Sequence, residues 1–395
     1  MMKDATEANR AGRVANMSSR STLKLSLVVT LVLLAGVTGC SGLFEVDNPN
    51  QLTQEDATNP AAAPAMVNGA QATTFRAYGE IMGVHSTAAD ELRFTGSRDA
   101  WLSLSQGAVS TPNNVFTDAA FPFVAEARWM TNETVTRLEE FRSEGELDDL
   151  SQLTRAYIWA GVAYNIVADH FENFAFSDRQ EAAPPIGEEN MSQVYDEAVQ
   201  FLDQAVSTAR EANSRELEQT ALAMRARTKY ARALWQKMNP PGSVPEDPLV
   251  DDDGAVQDAA AFLGMVGTTA DWTLRARYSA NTVGNSMASW VNERSEMEVG
   301  SSYGQLGSEG SSVDSVVLHD PIDDVPAPIL EQKITEFEAG TGFSPLTITS
   351  AREMHLILAE AGLARGDTAM FTTHVNHVRA MDELTPYSDQ VDALE

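Results

Sequence analysis

Between Leu217 and Trp235 the residues Leu217, Ala221, Met224, Thr228, Ala231 and Trp235 recur at spacings of four, three, four, three and four. Only an α-helix places such positions on one face, so this stretch must be a helix with one buried side. The same period returns in Val194, Ala198, Phe201, Leu202, Ala205, Val206 and Ala209, behind a Ser192 suited to cap it, and in Ala156, Tyr157, Ala160, Tyr164 and Val167. Near the end, Met354, Ile357, Leu358 and Ala361 form a stripe that Gly366 stops. Asp367 then caps a last helix with Phe371, His374, Val375 and Val378 inward. Small residues dominate these faces and let helix axes approach closely. The expected fold class is therefore mainly α, built from helix pairs.

Elsewhere the pattern is looser. A small-residue helix is expected over Ala65–Tyr78, then a turn-like TAADELRFTGSRD, and an amphipathic helix around Glu126–Arg142. Asn239-Pro240-Pro241-Gly242 ends the Trp235 helix. Residues 239–254 and 300–328, rich in Gly, Pro, Ser and Asp, read as loops. The best strand signal is Leu346-Thr347-Ile348. Trp129, Trp159 and Trp235 fall within helical periodicity and read as core.

Charge narrows the partners. The chain carries 57 acidic against 27 basic residues, a net −30, and 22 of the basic residues are Arg. A field of that sign repels phosphate backbones and argues against nucleic acid as a ligand. It fits either a salty habitat, where counterions screen self-repulsion, or an acidic surface kept for solubility.

The first forty residues read as an address. From Met17, taken as the start, Arg20 and Lys24 precede an apolar run from Leu25 to Val37 and small residues ending at Cys40, the only cysteine. The run is too short to span a bilayer and has the length of a signal-peptide core. Val37-Thr38-Gly39-Cys40 looks like a bacterial lipobox, in which the sulfur is lipidated, with palmitate-like acyl chains, and becomes the mature N-terminus. Residues 1–39 are thus expected to be a lipoprotein signal peptide and 40–64 a lipidated tether. Several acyl chains on one cysteine make attachment effectively permanent.

A search for chemistry finds no legible catalyst. There is no HExxH, Walker loop, GxSxG or GxGxxG before a helix. Asp251-Asp252-Asp253-Gly254 fails as a calcium loop, because that register puts Leu249 and Ala260 at ligand positions, and reads as a solvated acidic turn. His374 and His377, three apart, lack a third donor nearby and read as core-edge histidines, so no metal and no cofactor is expected. Aromatic surface is what could bind. Sugars stack their C–H faces on Trp and Tyr, and Trp101, Trp290 and Tyr303 lie in loop-like sequence beside Asp, Asn or Arg. These three are the candidate ligand-binding residues.

Arg352–Asp367 (REMHLILAEAGLARGD) followed by Asn376–Ala380 (NHVRA) resembles the C-terminal helix pair of the SusD/RagB family, with Glu353, Ala359-Glu360-Ala361, Gly366-Asp367, Asn376 and Arg379 on its pattern. Arg155–Phe171, Val194–Val206, Ala221–Trp235, Met66–Ala70 and the Asp90-Glu91 pair are similar to further family segments, in order. The usual Tyr-Gly-Asp is here His170-Phe171-Glu172-Asn173. The family's Glu/Arg-rich closing segment does not follow before Glu395, which marks either a fragment or a divergent short member.

The resemblance implies degenerate tetratricopeptide-like helix pairs with an irregular, loop-rich ligand-binding part over residues 65–395. It also implies a non-catalytic lipoprotein, lipid-anchored at the cell-surface face of the outer membrane. Such a protein would capture glycans or other oligomers, an oligosaccharide or a peptide, and deliver them to a TonB-dependent, SusC-like transporter. The competing readings are a helical-repeat envelope scaffold that holds protein segments and, more remotely, a lipid-anchored hydrolase.

Overall fold

The computed structural model describes residues 58–388 apart from 110, 112, 179–180, 240–244 and 307–312. Cys40, the leader and most of the tether lie outside the described residues. A 3₁₀ turn at Pro60–Ala62 leads into α1 (Ala63–Ala88), which runs ten residues beyond the expected end at Tyr78. There follow β1 (Leu92–Phe94), α2 (Asp99–Ser105), α3 (Val115–Glu144), α4 (Leu150–His170), α5 (Ser192–Glu211), α6 (Arg215–Met238) and α7 (Asp253–Val266). After β2 (Thr273–Ala276) come two short helical turns, Ser286–Ala288 and Ser289–Glu293, then β3 (Met297–Val299), β4 (Gly304–Leu306) and β5 (Val313–Val316). The chain continues through α8 (Pro328–Ala339), β6 (Leu346–Ser350), α9 (Ala351–Ala364) and α10 (Thr368–Met381). The mainly helical expectation holds.

Among the described residues the strands make three separate antiparallel pairs: β1 with β3, β2 with β6 and β4 with β5. Two-stranded ribbons are marginal by themselves, so packing on the helices must hold these in place.

Helix α4 is the centre. From Leu153 to Ala168 every residue but Arg155 is buried, which a helix tolerates only when it is apolar on all sides and surrounded. Helices α1, α3, α5 and α6 pack around it. Gly161 permits the tightest approach: a Cβ there would lie 2.6 Å from Cγ of Leu202 on α5, well inside contact distance.

Several helix starts follow their sequence signals. Asn114 Oδ1 accepts from Phe116 N at 3.0 Å, Asp149 Oδ1 from Ser151 N at 2.9 Å and Asp367 Oδ1 from Met370 N at 2.9 Å. Ser192 does not cap α5. A 3₁₀ turn at Glu188–Asn190 feeds straight into the helix, so the chain is already helical at Met191 and the hydroxyl has no free N–H to accept from.

The acidic turn proves to be structural rather than merely solvated. Asp252 Oδ1 caps α7 by accepting from Ala255 N at 2.8 Å, while Asp251 and Asp253 both pair with Arg365. Sharing of this kind recurs. Arg225 joins Asp203 and Asp258, and Arg352 joins Asp271 and Asp382. With carboxylates in twofold excess, the planar five-donor guanidinium can serve two acids at once, which a lysine does less well.

The loop reading holds for the described residues of 239–252, while 300–328 also carry short strands. Residues 239–254 run into α7, and 300–328 contain β4 and β5. Helix α7 buries Ala255, Ala259, Phe262 and Leu263 on one face, a stripe present in the sequence that the loop reading of its first turn passed over.

Asn376 and Arg379, which carry the C-terminal resemblance, do architectural work. Asn376 donates from Nδ2 to the Tyr387 carbonyl at 3.0 Å and accepts from Tyr387 N at 2.7 Å. Arg379 makes a forked pair with Asp320 at 2.6 and 3.0 Å and reaches Asp323 at 3.3 Å. The Arg379 guanidinium, helped by backbone N–H donors, pulls Asp320 down to about 2. The folded value lies below the ordinary carboxylate value of about 3.9, so this stabilisation is complete above pH 4 and disappears as pH falls toward 2. In urea unfolding, the gap between wild type and Asp320→Asn should therefore be widest at pH 5 and close by pH 2. A gap independent of pH would show that the pair contributes nothing.

Among the described residues no helix is long and apolar enough to cross a membrane.

Candidate functional site

A cleft of about 490 Å³ opens where α1, α4, α5, α6 and α9 meet. Its position follows from the helix faces described above. Tyr78 and His85 project from α1, Asp169 and His170 from the end of α4, Tyr195 from α5 and Glu353 from the first turn of α9. Helix α6 supplies Arg227, Tyr230 and Trp235. Residues more than 270 positions apart thus share one wall.

The floor is charged and fully engaged. Arg227 lies between two acids, with Nη1 2.6 Å from Glu353 Oε1 and Nη2 3.6 Å from Asp169 Oδ2. Burial opposes the Arg227 charge, but Glu353 and Asp169 outweigh it and raise its pKa above the ordinary arginine value. Asp169 also accepts from Tyr195 Oη at 2.9 Å and Asn165 Nδ2 at 2.5 Å. Glu353 accepts from Thr349 Oγ1 at 2.8 Å, and its own N–H donates to Ser350 Oγ at 3.2 Å, one half of a capping box. With a guanidinium holding both carboxylates, neither is placed as a free acid or base.

The walls are largely aromatic. Burial pushes Tyr78 up to about 12, and its hydroxyl donates to the Thr347 carbonyl at 2.9 Å. Burial, then the carboxylates they donate to, also raise Tyr195 and Tyr230; Tyr230 donates to Glu360 Oε2 at 2.7 Å. His170 meets His85 edge to face with ring centroids 5.0 Å apart, and burial lowers the His170 pKa, keeping it neutral. At the mouth stand Trp235, half-buried, and the more exposed Leu234 and Met238.

Trp235, which reads as core from its spacing, packs against the core but is only half-buried, and it also lines the cleft. Trp159 is buried as expected, and Trp129 is half-buried.

The three aromatics picked from sequence lie elsewhere. Trp101 is corrected from platform to core. It is 2% exposed, sits on α2 rather than in a loop, and stacks on Phe116 with centroids 3.9 Å apart and planes at 11°. A ring covered on that scale has no face for a sugar. Trp290 joins it edge to face at 5.6 Å and stays half-buried, with Arg294 over its ring at 4.6 Å and Arg98 at 5.8 Å. Beside it a smaller cleft of about 230 Å³ is bounded by Asn292, Glu298 and Glu338. Tyr303 is half-buried in the turn before β4, its N–H donating to the Gly300 carbonyl at 2.9 Å. So the fold brings Trp101 and Trp290 together but uses one as packing.

No protein-family model and no curated protein matches the chain. Solved structures do. A protein crystallised with a xylogluco-oligosaccharide superposes with a TM-score of 0.55 at 15% identity, over 83% of this chain and 77% of that one. A SusD homolog from Bacteroides thetaiotaomicron gives 0.56 at 13% identity, over 84% and 79%. A SusD superfamily protein from Bacteroides vulgatus gives 0.51 at 13% identity, over 82% and 80%. The chain has the SusD-like fold. At such identities the likeness is one of architecture, and the SusD-like core here is the α4-centred bundle with its irregular strand-bearing part.

Proposed function

We propose that this SusD-like protein is a SusD/RagB-type lipoprotein, anchored through Cys40 at the outer membrane, that captures oligosaccharides without altering them. It passes them to a TonB-dependent transporter. The cleft carries this reading. It pairs a partly open Trp235 at the mouth with Tyr and His walls, the mixture of stacking surface and hydrogen-bonding edge that a sugar needs. The xylogluco-oligosaccharide held by a neighbour of the same fold supports the ligand class. The fully paired carboxylates on the floor support capture over hydrolysis, since glycoside cleavage needs one carboxylic acid and one free carboxylate. Trp290 and Tyr303 remain secondary contacts in this reading.

Calorimetry of the purified protein against xyloglucan fragments, then a wider glycan panel, should give saturable heat, with the sugar recovered at unchanged length. Trp235→Ala should weaken binding by about tenfold or more, the scale of a central aromatic contact. No heat from any glycan, together with a pull-down that yields no barrel partner, would overturn the proposal.

A further inference from the structure

The C-terminal helix pair brings together three of the chain's six histidines, His355 from α9 and His374 and His377 from α10. One nitrogen from each ring lies within 4.8 Å of one from each of the others. We propose that His355, His374 and His377 bind one divalent transition-metal cation, with zinc as the best-matched ion, and that this ion staples the last two helices together.

The orientation of His355 is the first argument. It is completely buried, and its Nε2 lies 2.9 Å from the Thr268 carbonyl oxygen. A carbonyl only accepts, so Nε2 carries the proton and Nδ1 of the neutral ring presents a lone pair. A backbone carbonyl behind an imidazole, fixing its tautomer and aim, is the arrangement that orients metal-ligating histidines. That Nδ1 faces Nδ1 of His374 at 2.9 Å.

His377 is the second argument. Its Nδ1 is buried and has no hydrogen-bond partner among the described residues. Buried polar atoms are nearly always satisfied, and a cation shared with the two neighbouring rings would satisfy this one.

The dimensions agree. Zinc–nitrogen bonds of about 2.0–2.1 Å in a tetrahedron set donor nitrogens about 3.3 Å apart. The closest pair here has to open slightly and the widest to close, movements within reach of ring rotations on α10, whose histidines are only half-buried. On binding, His374 shifts its ring proton from Nδ1 to Nε2, with no net proton released. Three neutral imidazoles without a carboxylate favour Zn²⁺, Cu²⁺ or Ni²⁺ over Ca²⁺ or Mg²⁺, which want oxygen. Three protein ligands leave a fourth position for water.

The test uses the full chain without a polyhistidine tag, stripped with chelator. Titration with Co²⁺ should saturate at one equivalent with the visible bands of a tetrahedral site, and Zn²⁺ should abolish them by displacement. Zn²⁺ in large excess over its Kd should raise the melting temperature by a few degrees. His377→Gln should lose both responses while keeping the wild-type circular dichroism. Absence of saturation, or saturation unchanged in His377→Gln, would overturn the proposal and point in the latter case to a site such as His85 with His170. Should that variant fail to fold, carbethoxylation of the wild-type protein decides instead. Zn²⁺ protection of the half-buried His374 and His377 supports the site, and equal modification of both with and without metal overturns it.

Discussion

Trp101→Ala should cost about 3–5 kcal/mol of folding stability, the range for deleting a large buried aromatic, and leave glycan affinity of the folded protein unchanged. The side chain fills the space between α2, Phe116 and Trp290, and its ring edge lies 3.8 Å from where a Cβ on Gly83 would stand. Deleting it opens a cavity bordered by rigid rings and by the backbone of α1, which cannot readily collapse. Its indole Nε1 is buried without a partner among the described residues, so the residue contributes as shape and apolar area only. Trp101→Phe should therefore be far milder than Trp101→Ala, since it leaves a smaller void and removes the unpaired N–H. Urea midpoints read the stability and calorimetry the affinity. Normal stability with lost binding in Trp101→Ala would reinstate the residue as a sugar platform.

The second large effect is expected at Arg227. Arg227→Met keeps most of the volume but leaves Asp169 and Glu353 facing each other across the cleft floor without their shared cation. Breaking a buried ion pair from one side costs about 3–5 kcal/mol, and the remaining solvent contact here places the expectation at about 3 kcal/mol. Adding Glu353→Gln should recover part of the loss, because the acid then left is still held by Tyr195 and Asn165. Arg227→Lys should recover less than its charge suggests, since one ammonium cannot reach both acids as a planar fork does. A Met variant as stable as wild type would show the floor to be wet and loosely coupled.

How much was legible follows from what each signal depends on. Helices α5, α6 and α9 were readable because an apolar stripe recurs on adjacent turns. Helix α4 shows the helical spacing although it is buried on every side, and the α10 face expected inward (Phe371, His374, Val375, Val378) is only half-buried. Their caps at Asp149 and Asp367, by contrast, are single-residue signals, and at Ser192 such a signal misled because the preceding 3₁₀ turn had already used the position. The segments leading into α7 and α8 read as loops, and the two helices went unassigned, because the Asp and Pro residues at their starts resemble turn chemistry. In the fold, Asp252 caps α7 and Pro328 opens α8. Trp101 was misassigned, and the partial exposure of Trp235 missed, for one reason. Whether an aromatic is covered depends on what the rest of the chain lays over it, and neighbours in sequence do not report that.

The histidines make the same point. His374 and His377 show their i, i+3 spacing in the sequence, but His355 lies 19 residues earlier, and the carbonyl that orients it belongs to Thr268. By itself the sequence determined the helical class, the order of the principal helices, the excess of acidic residues, and the poverty of recognisable catalysts. These are properties of local periodicity and summed charge, which survive without knowledge of distant contacts. Only the tertiary structure decided which rings are open, that one arginine pairs with two acids from different helices, and where a cleft exists. Those depend on residues far apart in the chain meeting within a few ångströms, and close packing sets such distances only once the whole bundle has formed.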